Sequence, residues 1–115
     1  MNEITVRKMD FTVPDLETFD PVFIRGDANL SYTLIGVGLY VAYLEPFIVQ
    51  SVRRVLGDVT NQELAQDVDG FCRQEAQHYQ QHQRFNELIF AQGYPGLEAR
   101  CQALAADFER YLAKE

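Results

Sequence analysis

At 115 residues and a net charge of −7, the chain is long enough for one core and too short for two. Its 47% hydrophobic and 23% charged residues suit a soluble globular protein. The acidic balance argues against a nucleic-acid or anionic-membrane partner, because RKMD at 7–10 and Arg53-Arg54 are the only basic groupings.

Residues 1–28 contain Pro14, Pro21 and Gly26 and no helical period, so they read as an extended arm. Ile4, Val6, Phe11 and Phe23 are its candidate packing residues. Charges run throughout the opening segment, so no signal peptide is expected.

The first helix is expected over 29–56, capped by Asp27 or Asn29 and ended by Gly57-Asp58. Pro46 predicts a kink about a turn before it. The apolar run Leu34–Leu44 is too short to span about 30 Å of hydrocarbon and is broken by Glu45-Pro46, so it reads as buried helix and no membrane span. The second helix is expected over 60–92, with Thr60-x-x-Glu63 as a capping box, Gly70 as its weak point and Gly93 and Pro95 as its end. A third follows over 97–113, with Leu97, Cys101, Leu104, Phe108 and Leu112 on one face. The chain is therefore a single all-α domain. Cys72 and Cys101 lack metal-type spacing and are expected as reduced thiols of a cytoplasmic protein.

The second helix carries both histidines of the chain. At about 100° per residue, with Glu75 at zero, His78 lies at about −60° and His82 at about −20°. Leu64, Val68, Phe71, Phe85 and Ile89 share this wedge, so an apolar stripe turns polar for two turns, Asn86 included. Gln74, Gln77, Gln81 and Gln83 mostly point elsewhere and read as a solvated face. On the first helix, Glu45 falls among Leu34, Val41, Ile48, Val49, Val52 and Leu56. A carboxylate on such a face must be paired, protonated or bound to a cation. Arg53 and Arg54 lie off that face, which leaves Glu75, His78 and His82 as its companions.

Two carboxylates and two imidazoles inside a bundle lack a fixed positive charge. A divalent transition metal (Fe, Mn or Zn) would supply it, held by Glu45, Glu75, His78 and His82. Glu-x-x-His is the helix motif of ferritin-like carboxylate-bridged dimetal proteins, and His-x-x-x-His is a second chelating spacing. The alternative is a polar layer of core histidines bonded to Glu45 and Glu75, without metal. Tyr79 reads as a half-buried core tyrosine beside this layer.

The segments VRKMDF, YLEPFIVQSVRR and FCRQEAQHYQQHQRFN together resemble the bacterial family of predicted metal-dependent hydrolases, over roughly residues 5–90. The resemblance implies a ferritin-like helical bundle built on two long antiparallel helices and a shorter third, with Glu45, Glu75, His78 and His82 as metal positions. Members of that family are longer, so this chain reads as a short or half-length one. The implied function is metal-dependent hydrolysis of a small-molecule substrate, with metal-activated water as nucleophile and Glu45 or Glu75 as base. The alternatives are a di-iron or manganese oxidase or oxygenase, and a non-catalytic helical association module. Val37, Tyr40 and Phe47 would stay exposed behind the metal layer. A homodimer that duplicates Glu45 and Glu75-x-x-His78 would cover them and complete a dinuclear site.

Overall fold

The computed structural model describes residues 4–114. Helices α1 (Ala28–Leu56), α2 (Gln62–Ala91) and α3 (Leu97–Leu112) make an all-α bundle, with no strand among the described residues. Pairs such as Glu45 with His78 and Arg53 with Asp69 show that α2 runs antiparallel to α1. Helix α3 lies beside α1, where the Phe108 ring meets Tyr40 and Phe47 at 5.8 and 5.1 Å. Phe47 is therefore half-buried under α3 rather than left open behind the metal layer.

The ends of the helices follow from local chemistry. The Asp27 side chain accepts from the Leu30 amide at 2.9 Å and caps α1. Asn61, not Thr60, caps α2, accepting from Leu64 N at 3.1 Å; this places the first turn one residue later than a Thr60–Glu63 box requires. Gly57 stays right-handed (φ −63°), whereas Gly93 takes φ 84° and turns the chain toward α3.

The core gathers Ile35, Leu39, Ile89 and Cys101, flanked by Phe19, Tyr43, Phe85 and Phe90. This rotates the packed face of α1 away from the expected one. Ser31, Ile35, Leu39, Ala42 and Glu45 are buried, while Leu34 is exposed and Val41 and Ile48 are half-buried. Glu45 thus stands at the edge of the core face. The reason is compositional: α1 is apolar around most of its circumference, so its period cannot single out one face. On α2, Leu64 and Phe71 are likewise exposed instead of joining the buried stripe. Helix α1 also runs on through Glu45-Pro46 without interruption, and by length and composition alone it is apolar enough to cross a membrane.

The arm is held differently from expectation. Ile4, Phe11 and Phe23 are exposed, and only Val6 of the four candidates is half-buried. Its anchors are the glutamines of α2. Gln74 Oε1 accepts from Arg7 N at 2.6 Å and its Nε2 donates to Arg7 O at 3.3 Å. Gln77 Oε1 accepts from Met9 N at 3.3 Å. Gln81 Oε1 accepts from Phe11 N at 3.1 Å while its Nε2 donates to Met9 O at 2.8 Å. Alternate residues of an extended chain advance about 6.6 Å and three or four helical residues about 4.5 to 6 Å, so the two repeats nearly match. Lower down, a Cβ on Gly70 would stand 3.3 Å from both Ile4 Cγ2 and Ile4 O. The glycine that weakens α2 is what lets the arm lie against it. Farther along, Phe19 meets Phe85 edge-on at 5.5 Å.

Candidate metal centre

Midway along the α1–α2 contact, Glu45 faces the two histidines. It is only 3% exposed, and its Oε1 lies 2.7 Å from His78 Nδ1 and 3.7 Å from His82 Nε2. The Nε2 atoms of the two imidazoles approach to 3.0 Å. Three donor atoms, one each from Glu45, His78 and His82, lie within 4.8 Å of one another, a spacing that can hold a metal ion. The helices set this up directly: His78 and His82 are one turn apart on α2, and the antiparallel register brings Glu45 between them.

Glu75 stands just outside this set. Its Oε2 is 3.8 Å from His78 Nδ1, and its side chain is 23% exposed. Arg53 is engaged with Asp69 at 3.8 Å rather than with Glu45.

Among the described residues no Lys or Arg pairs with Glu45, so the site lacks a fixed positive charge. Neither carboxylate oxygen of Glu45 has a hydrogen-bond partner, and the close approach of His78 Nδ1 lacks hydrogen-bond alignment. Burial raises the Glu45 carboxyl above its ordinary range; His78 opposes this and Glu75 adds to it. Burial also lowers His82, helped by His78 and opposed by Glu75. A buried carboxylate with orphaned oxygens and an imidazole kept neutral offer the lone pairs that Zn, Fe or Mn takes. The residues present therefore fit a divalent transition metal.

Two cavities flank the cluster. One, of about 280 Å³, is lined by Glu45, Glu75, Pro46 and the half-buried Tyr79. The other opens on the imidazole side. Asn86, one turn beyond His82, is 4% exposed and its Oδ1 has no partner. Both cysteines are free and buried, and Cys101 is pushed up by burial, as an inert thiol would be.

Sequence reasoning missed the glutamine anchors. Gln74, Gln77 and Gln81 each stand one residue before Glu75, His78 and His82, so the same three turns of α2 hold the arm on one side and the cluster on the next. That repeated Gln-Glu, Gln-His, Gln-His order was the available signal. The sequence matches the family model described as predicted metal-dependent hydrolase over residues 5–115. Neither curated proteins nor solved structures give a match.

Proposed function

Because the chain belongs to the family of predicted metal-dependent hydrolases, we propose that it is a hydrolase whose Glu45, His78 and His82 hold a divalent Fe, Mn or Zn ion, with Glu75 as the base beside it. The observation that carries this reading is the buried Glu45, whose oxygens have no hydrogen-bond partner and face two imidazoles. A bound divalent ion would supply Lewis acidity and lower the pKa of water at neutral pH.

The protein's own groups divide the remaining work. Glu45, His78 and His82 would hold the ion. Glu75, half-buried at the cavity that it shares with Glu45, would take the proton of an attacking water and return it to the leaving group, a role its position beside the cluster supports. The low polarity around Glu45 strengthens every electrostatic interaction there.

We extend the proposal to assembly. A ferritin-like core takes four helices, two giving Glu and two giving Glu-x-x-His, and one chain has one of each. A homodimer joined through α1 would supply the rest and allow a dinuclear site. The support is an apolar line on α1, where Leu30, Leu34 and Val37 are 44%, 44% and 53% exposed. The free, buried thiols fit action in the cytoplasm.

Metal quantification and thermal melts after loading with Fe, Mn or Zn test the reading. An ion at about 100-fold over its Kd adds roughly 2.7 kcal/mol of stability. His78→Ala should lose more affinity than the about 10- to 100-fold cost of removing an outer-shell partner, with helical circular dichroism intact. Absence of stoichiometric metal would leave a polar core layer in a helical association module. Near-ultraviolet absorption of oxo-bridged iron in aerobically purified protein would point to oxidase or oxygenase chemistry on the same residues.

A further inference from the structure

The cavity on the imidazole side has about 440 Å³ and is walled by the arm, α1 and α2. Such a volume lies within the roughly 300–1,000 Å³ of small-molecule sites. His78 and His82 line it together with Phe11, Val13, Leu34 and Phe85. No Asp, Glu, Lys or Arg lines it. Gln81, the amide on its wall, already spends its oxygen on Phe11 N and its nitrogen on Met9 O. A ligand here therefore meets the two imidazoles and the Thr12 hydroxyl as its free polar side-chain groups, on an otherwise mostly apolar lining.

Charge narrows the class further. Neither this cavity nor the one beside Glu75 presents Lys or Arg. Phosphoryl and sulfuryl groups are ordinarily held by such cations, whereas a neutral carbonyl needs none. Gly38 opens the space: a Cβ built there has no neighbouring atom within 4 Å. A helical glycine costs about 1 kcal/mol relative to Ala, and the room it leaves is part of the cavity.

We propose that this cavity binds the apolar alkyl or aryl part of a neutral ester- or amide-type substrate, with the carbonyl end at His78 and His82. The inference rests on the metal-hydrolase reading for the chemistry at the imidazole end. The shape and apolarity of the cavity are independent of it.

Alkyl hydroxamates, from acetohydroxamate to octanohydroxamate, carry a metal-seeking head on a growing tail. Calorimetry on the zinc-loaded protein should show Kd falling about fourfold per methylene, until the cavity is full. Gly38→Leu should flatten that series while zinc stoichiometry and acetohydroxamate affinity persist. Val13→Trp, filling the space from the arm, should do the same if Gly38→Leu folds poorly. A wild-type series with no tail dependence, or a slope that survives both substitutions, overturns the proposal while leaving the metal reading intact. If the protein takes up none of Zn, Fe or Mn, the metal reading fails and the cavity is judged on the metal-free protein. There, 1-octanol should shift the amide resonances of Val13 and Phe85 in wild type and not in Gly38→Leu. Unshifted resonances in wild type overturn the proposal.

Discussion

Glu45 concentrates the physical tension of this protein. Its raised carboxyl pKa makes a stabilising contribution that is complete below the ordinary value of 4.5 and lost as pH rises through the folded-state value. His82 is lowered from 6.5, so its contribution is present above 6.5 and lost as pH falls through its folded-state value. Metal-free protein should consequently weaken on both sides. Glu45→Gln removes the first loss. At pH about 8 the metal-free variant should match or exceed wild type by on the order of 1 kcal/mol in chemical denaturation, since the cost of burying a carboxylate without hydrogen-bond partners has gone. Its metal affinity should fall at the same time. A metal-free variant that unfolds more readily than wild type would instead make Glu45 a structural ion-pair partner of His78.

Among the elements, α2 and the arm show how much was legible beforehand. Helical spacing put Glu75, His78 and His82 in one wedge, and the cost of burying an unpaired carboxylate brought Glu45 to them; the structure groups Glu45 with the two histidines and leaves Glu75 just outside. The arm's attachment was harder to read, because Gln74, Gln77 and Gln81 grip backbone: their spacing was visible, but the backbone they hold offers no side-chain pattern to match it. The packed face of α1 was also hidden, since a helix apolar on most sides does not declare which side is covered. Gly70 and Gly36 give a direct comparison. Gly36 has open space where a Cβ would go, so Gly36→Ala should stabilise by about 0.5–1 kcal/mol through helix propensity. Gly70→Ala must push Ile4 aside at 3.3 Å and should gain less or lose. Equal gains in urea unfolding at the two sites would show that the arm does not press on α2.

For the whole molecule, the open question of assembly lies along α1. Leu30, Leu34, Val37, Val41, Ile48 and Val55 fall within about 40° of one line on the helix. Leu30, Leu34, Val37 and Val55 are 44–56% exposed. If a second copy covers this line, Val37→Lys should shift light-scattering mass from dimer to monomer, by burying an unpaired charge. It should also lower metal stoichiometry if the site is shared. A wild-type monomer that binds metal tightly would confine the site to one chain, and partition of the protein into neutral vesicles would assign the line to lipid.

The interleaving of arm-holding glutamines with Glu75, His78 and His82 has a thermodynamic corollary. A cation held by this cluster and the tethered arm would be two ligands of one scaffold on the same three turns of α2, and any influence between them would have to be reciprocal. Whatever factor the ion adds to the arm's resistance to proteolysis, an intact arm must add to the affinity for the ion. Gln74→Ala with Gln81→Ala, removing hydrogen bonds worth about 0.5–1.5 kcal/mol each, should hasten cleavage within residues 4–14 and weaken zinc binding together. Faster cleavage with unchanged zinc affinity would mean that the two faces of α2 are energetically independent. In a coupled molecule, the protected state of its N-terminal segment is a readout of whether its centre is filled.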